Sequence, residues 1–174
     1  MRKKIKTLFW GLLILVSFFA FDFVFAQQKA SVFLYPSKGT YEVGKNFTVT
    51  LAVNSPQEAV NAIEATLKFD PSILKVISVS KTNSIFTLWP EEPTFSNSAG
   101  TIHFVGGSPT PYRGSSGTII TIVFSGLKEG TATISYTKGI ILAGPGIDVT
   151  GDLNGASFTI VPAVGVGSLA SATA

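Results

Sequence analysis

Apolar and polar residues alternate with a period of two through most of the chain after residue 30. The clearest run is NFTVTLAVN, which begins at Asn46. One side of this run carries Phe47, Val49, Leu51 and Val53, and the other carries Thr48, Thr50 and Ala52. Successive side chains of a β-strand point to opposite faces, so the run is typical of a strand with one buried face. A sustained helical period is not found in any window after residue 30.

Seven further segments have the same strand-like composition. They are residues 31–35, 62–69, 74–80, 101–105, 118–125, 131–137 and 157–161. Between them, the motifs YEVGKN, NSAG, LKEG and DLNG supply glycine or asparagine where a chain can reverse. Eight such strands predict an all-β sandwich. Residues 86–117 are less regular, and their prolines and glycines predict loops or short edge strands.

The stretch FDPSILKV places a carboxylate, Asp70, between two predicted strands. Pro71 fixes its own φ and favours an extended conformation for Asp70, so the chain bends there. The Asp70 carboxylate is then placed to accept hydrogen bonds from the backbone N–H of Ser72 or Ile73. We therefore interpret Asp70 as a turn-forming residue rather than a catalytic one, since no second acid or base stands at a recognisable spacing.

The two ends of the chain differ in composition from its middle. Residues 1–26 hold four basic residues, an apolar run and then the small residues Val24 and Ala26, which is the layout of a secretory signal peptide cleaved after Ala26. An uncleaved membrane anchor is the alternative, because the apolar run approaches the length that spans a bilayer. Residues 163–174 lack aromatic and charged side chains and predict a flexible tail or linker. One domain, residues 27–162, remains between them, and we expect it to be secreted or at the cell surface.

Charge and cysteine content exclude several classes of protein. The whole chain has 13 Lys and Arg against 10 Asp and Glu, but outside residues 1–26 the two classes number nine each. That balance does not indicate a nucleic-acid-binding protein. Because cysteine is absent, the sequence offers neither a disulfide framework nor a thiolate metal site. We expect no cofactor and no metal.

The order of these strands resembles the cohesin family. The resemblance rests on AIEATLKFDPSILKVISV, followed by GTIHFVGG, GTIITIVFSGLKEGTATIS and a closing NGASFTIV, and it covers about residues 30–162. Its most specific element is the aromatic-Asp-Pro turn at residues 69–71. The resemblance implies a jelly-roll β-sandwich of about eight or nine strands. It also implies a non-catalytic protein-binding module, since cohesins of cellulose-degrading assemblies hold the calcium-binding dockerin modules of enzymes through one flat sheet face.

Carried onto this sequence, the resemblance implies that the partner binds to the outward face of the family's third strand. That face carries polar side chains beside the strand that contains His103, and Ala62 stands where better-known members carry an amide. Two residues of a later strand, Ile119 and Val123, are expected to point outward and to add apolar surface. The predicted partner is a protein, such as a dockerin-like module. The predicted partner-binding residues are Glu64, Thr66, Lys68, His103, Val105, Ile119 and Val123.

The residues that carry reactive groups do not form a catalytic pattern. His103 is the only histidine, and no serine follows a strand-turn-helix pattern, so we interpret His103 as a surface or edge residue. Glu91 and Glu92 are adjacent, whereas glycosidase carboxylates face each other across a substrate. GDLNG, at residues 151–155, resembles the start of a calcium loop but lacks its later acidic ligands, so we predict a hairpin turn at Asn154. We predict that the protein is not an enzyme.

Two other functions stay open on the sequence alone. A carbohydrate-binding module would use Trp89 and Tyr112, which lie in loop-like segments, provided that both rings are coplanar and exposed. Aromatic residues beside prolines also commonly plug the open end of a sandwich. A structural subunit of a cell-surface layer or filament would self-associate and use residues 163–174 as a tether.

Overall fold

The computed structural model describes residues 29–163. Its ten strands are β1 (Ala30–Tyr35), β2 (Lys38–Glu42), β3 (Asn46–Lys68), β4 (Leu74–Ser80), β5 (Leu88–Ser96), β6 (Thr101–Gly126), β7 (Gly130–Ala143), β8 (Ile147–Asp148), β9 (Thr150–Asn154) and β10 (Ala156–Val161). Residues 29–163 contain no helix, and so none that is long and apolar enough to cross a membrane. The signal peptide or anchor predicted for residues 1–26 lies outside the described residues, as do residues 164–174 of the predicted tail.

Two long strands, β3 and β6, contribute to both layers of the fold. The first part of β3 pairs with β1 on one side and with the last part of β6 on the other. The last part of β3 pairs with β7 and with the first part of β6. The register between β3 and β6 shifts repeatedly between residues 51 and 62 of β3, and such bulges allow both strands to bend from one layer into the other.

Two sheets result. Sheet I has the order β9-β1-β3-β6-β4 and takes residues 46–54 of β3 and 117–126 of β6. Sheet II has the order β2-β10-β7-β3-β6-β5 and takes residues 60–68 of β3 and 101–107 of β6. Because β3 and β6 belong to both, the two sheets are layers of one continuous hydrogen-bonded sheet that curls on itself. The predicted all-β sandwich is confirmed.

The apolar faces of the two sheets meet in one core. Phe47 of sheet I packs on Phe158 of sheet II with ring centroids 5.1 Å apart. Phe124 of sheet I meets Phe69, at the end of β3, edge-on at 5.7 Å. The inward residues predicted for the first part of β3 are all buried. Because these contacts cross between the layers, burial of apolar surface holds the two sheets together.

At two of the places where the chain crosses from sheet II to sheet I, the turn is centred on an aspartate. After β3, the Asp70 carboxylate accepts hydrogen bonds from the Ser72 hydroxyl at 2.7 Å and from the Ser72 backbone N–H at 2.8 Å. These two bonds lower the pKa of the Asp70 carboxyl. Before β9, hydrogen bonds from the hydroxyl and the backbone N–H of Thr150 lower the pKa of the Asp148 carboxyl in the same way. The interpretation of Asp70 as a turn-forming residue is confirmed.

The segments that carry turn signals have different outcomes. The turn predicted at YEVGKN is confirmed, because β2 ends at Glu42, β3 begins at Asn46, and Gly44 between them has a φ of 79°. The edge-strand alternative is confirmed for LWPEEPTF, which lies in β5 and pairs with β6. The predicted hairpin at Asn154 is wrong, because β9 pairs with β1 in sheet I whereas β10 pairs with β7 and β2 in sheet II. Turn residues indicate where a chain bends but not which strand it joins next.

Candidate functional site

Sheet II has an outer face formed by four neighbouring strands, β5, β6, β3 and β7. Four rows of residues run across these strands, and each row takes one residue from each strand. Residues paired directly across neighbouring strands point to the same side of a sheet. We call this surface the sheet II face. From β5 to β7, its rows are Leu88, Gly107, Ala62 and Leu142; Glu91, Val105, Glu64 and Ile140; Thr94, His103, Thr66 and Lys138; and Ser96, Thr101, Lys68 and Ser135.

The polar half of the sheet II face is connected by hydrogen bonds. Thr66 Oγ1 lies 2.9 Å from His103 Nδ1, and His103 Nε2 lies 3.0 Å from Glu91 Oε2. Next to this chain of contacts, the Lys138 ammonium pairs with the Glu64 carboxylate. The Lys138 side chain is 52% exposed, and exposed ion pairs contribute little to stability. The pair of Lys138 with Glu64 is therefore not needed to hold the sheet together, and the Lys138 ammonium is accessible to a partner.

The other half of the sheet II face is mostly apolar. Val105, Ile140 and Leu142 are half-buried, and Leu88 is 57% exposed. All four lie outside the buried core cluster. Apolar side chains that adjoin one another on an outer surface, and that do not serve the core, are typical of an interaction site.

Five of the seven predicted partner-binding residues lie together on the sheet II face, and two do not. Val123 is outward, but it pairs with Thr48 and Ser78 in sheet I and so lies on the opposite side of the sandwich. The prediction that Ile119 points outward is wrong, because its side chain is fully buried. A bulge in the pairing with β3 brings two successive residues, Ile119 and Ile120, into the core. The five that lie together are Glu64, Thr66, Lys68, His103 and Val105.

The sequence prediction missed most of the contribution of β5 and β7 to this face, including the apolar residues Leu88, Ile140 and Leu142 and the charged residues Glu91 and Lys138. The strand predicted over residues 131–137 stops short, whereas β7 continues to residue 143. The alternation gives no signal there, because residues 140–143 are all apolar and follow directly on Gly139. A Cβ at Gly139 would lie 2.7 Å from Leu153 Cδ1 of β9, so the Leu153 side chain would have to shift to admit one. In β5, two prolines concealed the strand.

Trp89 and Tyr112, the alternative carbohydrate-binding pair, are half-buried and pack against the core. Both rings cover glycines. A side chain on Gly106 would meet the Trp89 ring at 2.8 Å, and one on Gly117 would meet the Tyr112 ring at 2.7 Å. In addition, Lys81 Nζ lies 5.4 Å from the Trp89 ring centroid. The two rings fill space on the sandwich, as the plugging interpretation predicts, and they do not form the exposed pair that the carbohydrate-binding alternative requires.

The contacts of His103 contain a hydroxyl, an imidazole and a carboxylate in the order of a hydrolase triad. Their setting does not support that chemistry. Thr66 and His103 lie in the middle of strands that are paired on both sides, so the neighbouring backbone N–H groups are engaged in the sheet rather than aimed at a developing oxyanion. Within residues 29–163, no group of three or more His, Asp or Glu side chains is placed to hold a metal ion.

Comparison with known proteins identifies the family. The chain belongs to the cohesin domain family, because the model of that family matches residues 34–160. This match confirms the resemblance that the sequence motifs indicated. A search of curated proteins gave no match.

Several solved cohesin structures share the fold. One is a non-cellulosomal cohesin from the hyperthermophilic archaeon Archaeoglobus fulgidus, with 16% identity and a TM-score of 0.64 over 76% of this chain and 91% of that chain. Another is a type I cohesin–dockerin complex from Clostridium thermocellum, with 14% identity and a TM-score of 0.63 over 76% and 99%. A third is a cohesin module from a Clostridium perfringens family 33 glycoside hydrolase, with 10% identity and a TM-score of 0.64 over 78% and 99%. At these identities the likeness shows the fold alone.

Proposed function

We propose that this chain is an exported, non-catalytic cohesin module that binds a protein partner through the sheet II face. The observation that carries the proposal is the make-up of that face, in which an apolar half adjoins a hydrogen-bonded polar half. Protein interfaces commonly combine an apolar centre with a polar rim. The face crosses four strands, which are separated by three spacings of about 4.8 Å each. It is therefore a flat surface about 14 Å wide.

A dockerin-like module is the partner that we propose. Four of the similar structures are described as complexes of a cohesin with a dockerin, and they are 12% or 14% identical to this chain. The fold therefore suggests the class of partner, and the chemistry of this chain's own face must select it. Val105 and Ile140 offer an apolar contact, while Lys138 and Lys68 offer charge-assisted hydrogen bonds to a partner's carboxylate or carbonyl groups.

The export part of the proposal concerns the ends of the chain. Residues 1–26 would direct export, residues 27–162 would form the binding module, and residues 163–174 would connect or tether it. N-terminal sequencing of the exported protein is expected to begin at Gln27. A mature chain that still begins at Met1 would indicate an anchored protein instead.

A binding experiment with paired double variants tests the face. Glu64 and Val105 are direct cross-strand partners on the sheet II face, and Thr48 and Val123 are direct cross-strand partners on sheet I, on the same two strands. The full chain is immobilised and offered a panel of dockerin modules as well as the secreted and envelope fractions of the source organism. We expect Glu64→Lys with Val105→Asp to weaken capture at least about 100-fold, which is about 3 kcal/mol.

The matched control is Thr48→Lys with Val123→Asp, which should bind as the unchanged chain does. Equal losses in the two variants would contradict the proposed face. If neither the unchanged chain nor the control captures any partner, the proposed function is wrong. Self-association that survives both double variants would favour the structural-subunit alternative.

A further inference from the structure

His103 lies in the middle of the sheet II face and links three strands. Its Nδ1 is 2.9 Å from Thr66 Oγ1 of β3, and its Nε2 is 3.0 Å from Glu91 Oε2 of β5. The side chain is 30% exposed, so the imidazole is held on both sides and is still in contact with solvent. The two neighbours differ chemically, because a carboxylate only accepts hydrogen bonds whereas a hydroxyl donates or accepts.

In the neutral imidazole, the carboxylate fixes the direction of both bonds. The single ring hydrogen lies on Nε2, because that nitrogen faces an ionised carboxylate. Nδ1 is then an acceptor, so the Thr66 hydroxyl must donate its hydrogen to Nδ1. The hydroxyl hydrogen is then occupied, and the two lone pairs of Thr66 Oγ1 are left to accept hydrogen bonds from a partner.

In the imidazolium, the bond to Thr66 reverses. Both ring nitrogens are donors, so Nδ1–H points at Thr66 Oγ1 and the hydroxyl hydrogen must turn away from the ring. We infer that protonation of His103 converts Thr66 from a residue that can only accept a partner's hydrogen bond into one that can also donate, at the centre of the sheet II face. As a control of partner binding, this conversion rests on the proposed function.

The charged groups around His103 determine which kind of partner each protonation state favours. Glu64 and Lys138 pair with each other, and Lys68 donates to the backbone carbonyl of Ala99, so Glu91 is the charged group in contact with the ring. Protonation cancels the negative charge of the contact between His103 and Glu91. The acidic form of the face therefore suits a partner that offers a carbonyl or carboxylate to Thr66, and the alkaline form suits a partner that offers an N–H. The charged groups around His103 are Glu91 on β5, Glu64 and Lys68 on β3, and Lys138 on β7.

Neutron diffraction from deuterated crystals of the full chain tests this inference without any partner. A histidine usually changes charge between about pH 5 and pH 8, and an NMR titration of the His103 ring nitrogens selects one pH on each side of the transition. In the alkaline crystals we expect deuterium on Nε2 and on the Thr66 hydroxyl, which points at Nδ1. In the acidic crystals we expect deuterium on both ring nitrogens and a hydroxyl deuterium that points away from the ring.

Thr50, which lies on β3 in sheet I, is the control and should keep one hydroxyl orientation in both crystals. Deuterium on Nδ1 in the alkaline crystals, or an unchanged Thr66 hydroxyl, would overturn the inference. Because no partner is present, such a result leaves the proposed function standing. Conversely, a failure of partner capture leaves the protonation result intact.

Discussion

The outer faces of the two sheets are built on the same two strands and yet differ in chemistry. On sheet I, one row carries Tyr35, Thr50, Thr121 and Ser80, and the next carries Thr48, Val123 and Ser78. These two rows are rich in hydroxyl groups and contain no charged residue. The sheet II face instead combines two carboxylates, two ammonium groups and an imidazole with adjoining apolar side chains.

The difference separates what the fold requires from what it leaves free. Both sheets need an apolar inner face, and the alternation along β3 and β6 supplies it in both halves. The fold imposes no such demand on the outer faces. Threonine and serine on sheet I suit a solvated strand surface. Val105, Ile140 and Leu142 on sheet II are not needed by the core, which is why we assign binding to that side.

The largest expected effect distinguishes the inner face of sheet I from its outer face. Val49→Asp should unfold the domain, because Val49 is fully buried and an unpaired charge in an apolar core costs on the order of several kcal/mol. Thr48→Asp, one residue earlier on the exposed side, should change the free energy of unfolding by less than about 0.5 kcal/mol. Denaturant unfolding measures both. Similar stabilities for the two variants would mean that the faces are reversed.

The next largest effect concerns Trp89 on β5, the edge strand of sheet II, and shows whether this ring serves packing or binding. Trp89→Ala should lower the free energy of unfolding by about 2 kcal/mol, because it removes a half-buried ring that packs on Phe86 and Phe104. The folded variant should retain partner binding and should not differ from the unchanged chain toward polysaccharides. Thermal unfolding and affinity electrophoresis test the two statements. A stable variant that has lost polysaccharide binding would restore the carbohydrate-binding alternative.

The smallest effect concerns the two turns centred on aspartates, Asp70 and Asp148. Asp70 and Asp148 have pKa values lowered by hydrogen bonds from Ser72 and Thr150. The stability that they contribute is present above the unfolded pKa, about 3.9, and is lost as the pH falls through the lower folded pKa. Asn retains the acceptor oxygen but does not titrate. In Asp70→Asn with Asp148→Asn, the melting temperature should therefore fall less steeply below about pH 4 than in the unchanged chain. Parallel curves would mean that these bonds do not contribute.

Alternation and turn chemistry predict much of this fold. Strand β4 was predicted with the bounds that the structure has, and the role of Asp70 followed from Pro71 and the residues after it. The passage of β3 and β6 through both sheets is not visible in the sequence, because it depends on bulges and on pairing between residues far apart in the chain. The same limit explains the hairpin wrongly predicted at Asn154.

The candidate site could also be predicted only in part, because alternation identifies the outward residues of a strand but pairing between distant residues decides where that strand lies. Glu64, Thr66 and Lys68 alternate with buried residues on one strand, so sequence alone indicates that they share a face. Val123 shows the same alternation, but the bend of β6 carries it to the other side of the sandwich. Ile119 lies at a bulge, where alternation fails. A period of two identifies the exposed side of a strand but not the sheet that the strand has joined.

The most direct test of the central claim is a methyl NMR footprint of the full chain with its bound partner. Val105 and Val123 are reporters on the same strand, β6, and each is half-buried on the outer face of one sheet. Binding through the sheet II face predicts shifts for the methyl signals of Val105, Ile140 and Leu142, with the Val123 signals unchanged. Shifts confined to Val123 and its neighbours on sheet I would contradict the claim.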